Sequence, residues 1–136
     1  TTLFRSAVDL IHNLDTNTKT YQMLSAEEVD LGTAIRTKTA PTATFVTAPS
    51  VTNPISMIGG RSVLMGYPGW AFSYGLDSAS REGQIRSLYA NPALPTSAEY
   101  LVIGPAELGY HVPSTDFSSH WVLWDQHGAY KIYRRL

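Results

Sequence analysis

The chain has 136 residues, 43% of them hydrophobic and 15% charged, with a formal net charge of −1 and no cysteine. That length suits one domain over 1–136 with a buried core, and the composition excludes a disordered chain. The near-neutral charge argues against nucleic acid, the missing thiols exclude disulfides and thiolate metal sites, and no apolar run reaches bilayer length.

In chain order, LFRSAVDLIHN (3–13) spaces Phe4, Val8 and Ile11 for a short amphipathic helix, and the polar loop DTNTKT follows. Ser25 and Glu28 fit a capping box. The helix it opens is expected to run to about Thr37, with Val29, Ala34 and Ile35 facing inward, and Thr39-Ala40-Pro41 ends it. Ala43–Thr47 is a short apolar run, as for a strand covered on both faces. Asn53-Pro54 starts a helix, Asn as cap and Pro at its first position, and Gly59-Gly60 stops it. Arg61–Met65 is the second strand.

Gly66–Ser80, rich in glycine and aromatics, reads as a loop. Ser80 then caps a helix in which Ile85, Leu88 and Tyr89 share a face, and Asn91-Pro92 ends it. Tyr100–Ile103 is a third buried strand, closed by Gly104-Pro105. Finally Trp121–Trp124 and Ala129–Arg135 flank Asp125-Gln126-His127-Gly128 as the two arms of a hairpin.

Strands alternating with helices predict an α/β fold: a mixed sheet with a parallel centre, flanking helices and a C-terminal antiparallel hairpin. In such sheets ligands bind outside the carboxyl ends of the parallel strands. Three loops gather there, 48–53, 66–80 and 104–111. With the first turn of the next helix they supply Asn53, Tyr67, Trp70, Tyr74, Asp77, Arg81, Glu82, Glu107, Tyr110 and His111 as candidate ligand-binding residues.

The rings Trp70, Phe72 and Tyr74 have two readings: core that covers the sheet end, or a stacking platform for a sugar or other flat apolar face. Asp77, Arg81 and Glu82 are either a helix-end charge cluster or polar contacts at the rim of such a site. No catalytic residue is assigned, and Asp77 or Glu82 as acid/base belongs to an enzyme reading kept as an alternative. The four histidines lack metal spacing, and no dinucleotide fingerprint, P-loop or nucleophile elbow is present, so no metal and no cofactor is expected.

The order of pieces also carries a resemblance. The Glu27-Glu28 helix, TKTAPTATFVTAPSVTNPISMIGGRSVLMGYPGWAFSYGLD, REGQIRSLYAN, YLVIGPAE and a closing YKIYR together resemble the soluble C-terminal region of polytopic membrane glycosyltransferase-like proteins of the GT-C type, many of them uncharacterised. The likeness runs roughly from Glu27 to the end, and the GYPGW segment plus the Arg81-Glu82 helix is its most specific part. It departs from the pattern over NPALPTSAE (91–99), where the family usually has another helix.

The resemblance implies a non-catalytic domain on the extracytoplasmic side of a membrane. Such a domain would recognise a glycan or lipid-linked sugar, or support the membrane part of the parent protein. By motif position Tyr67, Trp70, Arg81, Glu82 and Glu107 would carry that role. A small stand-alone enzyme on a sugar or nucleotide-like substrate, and a scaffold module with buried rings, are the other readings. Nothing resembles a signal peptide, Thr1 in place of methionine leaves open a fragment or a processed product, and the oligomeric state is not legible.

Overall fold

A computed structural model describes residues 22–110 and 119–136 of the chain. The helix and polar loop expected over 3–20, and His111, lie outside the described residues.

Helix α1 (Ala26–Lys38) begins at the expected capping box: Ser25 Oγ accepts the Glu28 N–H at 3.2 Å, and Glu28 Oε2 accepts the Ser25 N–H at 2.7 Å. It ends at Thr39 in extended backbone. Leu31, Ala34 and Ile35 are buried, whereas Val29, expected inward, is exposed. Two positions from Leu31 is roughly 200° around a helix, so Val29 falls on the opposite side from the buried stripe. Gly32 belongs to that stripe, and it brings α1 close to the next helix. A Cβ at Gly32 would run into Ile58 and stand 2.9 Å from the Pro54 carbonyl oxygen.

Strand β1 (Thr44–Val46) and helix α2 (Pro54–Met57) follow, α2 opened by Asn53 as expected. Strand β2 (Ser62–Val63) is only two residues of the five expected. Its leading residue, Arg61, serves the end of α1 instead. The guanidinium donates to the carbonyls of Arg36 (2.7 Å), Thr39 (2.8 Å) and Gly59 (3.1 Å), and to Thr39 Oγ1 at 3.0 Å. The Arg36 and Thr39 carbonyls lie at the end of α1, where the helix leaves acceptors unpaired, and Arg has the fork of donors to reach several groups at once.

The segment after β2 corrects the sequence reading. Part of the expected loop is a short helix, α3 (Pro68–Ser73), with Pro at its first turn and no buried residue. Helix α4 (Ser78–Ala90) then starts earlier than expected. Asp77, not Ser80, is the cap, accepting the Ser80 N–H at 3.0 Å. Ile85, Leu88 and Tyr89 are buried together, and Asn91 ends the helix. Strand β3 (Tyr100–Ile103) matches its expected bounds, and a further turn of helix, α5 (Pro105–Leu108), follows it. The hairpin pairs β4 (Trp121–His127) with β5 (Tyr130–Arg135). Gly128 turns at φ 52°, and an irregularity between Leu123 and Asp125 shifts the register.

The fold is α/β, with one five-stranded mixed sheet in the order β2-β1-β3-β5-β4. β1 pairs parallel with both β2 and β3, and the hairpin adds antiparallel through β5 (Val102 opposite Ile132). Both faces of the centre are covered, as the apolar strands require. On one face Leu31, Ile35 and Ile55 from α1 and α2 pack on Phe45, Tyr100, Val102 and Ile132. On the other, Ile85, Leu88 and Tyr89 of α4 pack on Val46, Leu101 and Trp121. Consecutive strand residues thus serve opposite layers, which is the period-two alternation of a strand. Among the described residues no helix is long and apolar enough to cross a membrane.

Candidate functional site

The chain leaves β1 toward β2 on one side and leaves β3 toward the hairpin on the other. The carboxyl ends of β1 and β3 therefore flank the topological switch point, where an open α/β sheet forms a crevice. A pocket of about 100 Å³ lies there, lined among others by Glu28, Thr47, Asn53, Val102, Glu107 and Tyr130.

Asn53 enters the pocket because it caps α2. Its Oδ1 accepts the Ile55 N–H at 3.0 Å, and its Nδ2 donates to Thr47 Oγ1 at 2.6 Å. Glu107 comes from the first turn after β3 and joins the two strand ends. Its Oε1 accepts the Ala48 N–H at 2.9 Å, just past β1, and its Oε2 accepts the Gly104 N–H at 3.0 Å. The side chain is buried, with the residue 5% exposed. Burial pushes its carboxyl above the ordinary range although backbone N–H bonds, that of Ala48 first, pull the other way.

Glu28 uses its other oxygen across the pocket, where Oε1 accepts the Tyr130 hydroxyl at 3.1 Å. Burial first, and then that carboxylate, pushes the Tyr130 phenol far above its usual value. The Tyr130 ring lies against Gly104 so closely that a Cβ there would overlap it, which explains the glycine. No cation pairs with Glu28 or Glu107 among the described residues. No group of three or more His, Cys, Asp or Glu there could hold a metal.

The remaining described candidates form a second neighbourhood on α3 and α4. Trp70, Phe72 and Tyr74 are 59, 79 and 83% exposed, and Tyr67 packs its ring edge-to-face on Trp70 with centroids 5.8 Å apart. The rings therefore do not cover the sheet end: solvent-facing aromatics replace the buried reading. Asp77 is occupied with capping α4. Glu82 accepts from Arg86 at 2.7 Å and from the Tyr110 hydroxyl at 3.4 Å, and the Arg86 guanidinium sits 4.8 Å over the Tyr110 ring. Burial raises the Tyr110 phenol, with the Glu82 charge adding to it. Arg81 donates to the Leu64 carbonyl at 3.4 Å and lines a wider groove of about 600 Å³ with Gln84, Ser87, Leu94 and Thr96.

Of the ten candidates, then, Asn53 and Glu107 share the switch-point pocket, and none of the residues 66–82 lines it. Tyr67, Trp70, Tyr74, Asp77, Arg81, Glu82 and Tyr110 belong to the α3–α4 neighbourhood. The residues missed from sequence are Thr47, Glu28 and Tyr130. The capping box singled out Glu28, but only as a helix-end residue. Tyr130 gave no local signal, because its place depends on β5 lying beside β3. Compared with family models, curated proteins and solved structures, the chain has no match in any of the three.

Proposed function

We infer that the domain is a non-catalytic recognition module, and that the 67–76 segment presents its rings to a glycan, free or lipid-linked. The observation that carries this reading is the exposure of Trp70 and Phe72 on a helix with no buried residue, and of Tyr74 at its C-cap. Leaving such large apolar faces in water forgoes roughly 1.5–3 kcal/mol of burial for each ring. A sugar ring offers a flat face of C–H groups to stack on an indole, and hydroxyls for the polar groups at its margin. Asp77, Arg81 and Glu82 stand next in the chain, at the start of α4. The resemblance to the soluble tails of GT-C-type membrane proteins points to the same ligand class and to a parent protein with membrane-spanning parts.

Titration of the chain with oligosaccharides and sugar nucleotides, followed by tryptophan fluorescence, tests the reading. Trp121 is buried and Trp124 half-buried, so Trp70 is the fluorophore a surface ligand should move. A saturable change that Trp70→Ala removes, with the fold intact by circular dichroism, is the expected result. No response from any saccharide would sink the glycan reading and leave the scaffold reading. Turnover that Glu82→Gln abolishes would instead establish an enzyme.

A further inference from the structure

The pocket at the switch point has its own chemistry, separate from the aromatic segment. Its polar lining is rich in acceptors and poor in free donors. A carboxylate offers about four lone-pair positions. Glu107 and Glu28 each have two occupied, by Ala48 and Gly104 and by Ser25 and Tyr130 respectively. The Tyr130 hydroxyl is already donating to Glu28, and Asn53 Nδ2 to Thr47. Two carboxylates with no cation beside them among the described residues repel a phosphate or another carboxylate, so an anion is the wrong occupant.

Size and lining narrow the class further. A cavity of about 100 Å³ has room for several water-sized groups, since one water needs only roughly 10–15 Å³. It can hold a fragment of a few heavy atoms, such as the hydroxyl-bearing edge of one sugar ring, but not an oligosaccharide. Leu31, Ile55 and Val102 supply an apolar wall. A bare ammonium would leave that wall unused. A polyol edge has C–H groups for it, donors for the carboxylates, and oxygens that can accept from the second N–H of Asn53.

We propose that this pocket binds a vicinal diol of a small sugar or polyol, its hydroxyls donating to Glu107 and Glu28 between the ends of β1 and β3. Glu107 fixes the depth of the site because its own position is set by two backbone N–H groups from different strands. Tyr130 forms one side and orients the Glu28 carboxylate.

The test is protein-observed NMR on the full chain, labelled with nitrogen-15. The Ala48 and Gly104 amides, which donate to Glu107, report directly on that carboxylate. D-Ribose and glycerol should shift both amides saturably, while 1,3-propanediol, methylammonium and inorganic phosphate should not. Glu28→Gln and Tyr130→Phe keep the side-chain shapes, and each should weaken D-ribose about tenfold, the loss expected for one hydrogen bond involving a charged group. Trp70→Ala should leave the D-ribose affinity unchanged, so failure of the glycan platform and failure of this site are read separately. Amides that never move with either diol would overturn the proposal. So would equal affinity in both variants, or a response to methylammonium alone.

Discussion

At the scale of single residues the most informative group is Glu107, a buried carboxyl with no counter-charge among the described residues. Backbone N–H bonds stabilise its charged form, but desolvation outweighs them and raises its pKa. Folding therefore favours the protonated carboxyl. Its contribution is complete below the unfolded value, near the ordinary 4.5, and is lost as pH rises through the higher folded value. We expect urea-unfolding free energies of the native chain to fall across that window, and those of Glu107→Gln to stay flatter; parallel curves would refute the assignment. Asn53 and Glu107 also mark what sequence could and could not disclose. The cap at Asn53 acts two residues away and was legible. The bond from Ala48 to Glu107 spans 59 positions, and the one from Tyr130 to Glu28 spans 102. No local pattern announces either, so the pocket's full membership emerges only once the strands are placed.

Among elements, the clearest competition of effects is between α1 and α2. Gly32 is a poor helix residue, and alanine there should gain about 1 kcal/mol in helix propensity. The close approach decides otherwise: the added methyl meets Ile58 and the backbone oxygen of Pro54. Gly32→Ala is therefore expected to destabilise the fold by a net ~1–3 kcal/mol, the usual range for overpacking. Chemical denaturation measures it, and a gain in stability would show that the two helices separate freely. Where elements followed their own chemistry, their bounds were readable: the capping box of α1, the Asn-Pro start of α2, the YLVI run of β3. The exceptions are local. α3 hides behind its glycines and rings, β2 keeps only Ser62 and Val63 while the Arg61 side chain turns back to α1, and Asp77 displaces Ser80 as the cap of α4.

For the whole molecule, the mixed sheet was legible because linker lengths separate crossovers from hairpins. Strand order was not, since nothing in β1 itself says that it will stand between β2 and β3. Order also determines what holds the hairpin in place. α1 grips it at both ends, through Glu27 and Glu28 onto Ala129 and Tyr130, and through Lys38 onto Asp125 at 2.6 Å. The Lys38 hydrogen bond, with His127 adding to it, holds the Asp125 carboxyl below its ordinary 3.8. A lowered folded value contributes stability above 3.8 that disappears as pH falls through it. Lys38 is half exposed, so the share is small, under about 1 kcal/mol at neutral pH. Thermal melts of Lys38→Met should lose most of the acid-dependent part of that step, and an unchanged acid limb would count against the grip.

The place of β1 between β2 and β3 has one more consequence, which is chronological. A chain made from its amino end produces β1, an inner strand of this sheet, before its neighbours β2 and β3. β1 then has only the two-residue β2 as a neighbour until Tyr100–Ile103 has been made, and β3 in turn waits for the last arm of the hairpin. The sheet grows outward from its oldest strand, first to one flank and then to the other. The switch-point pocket can close only when β5, the strand carrying Tyr130, arrives.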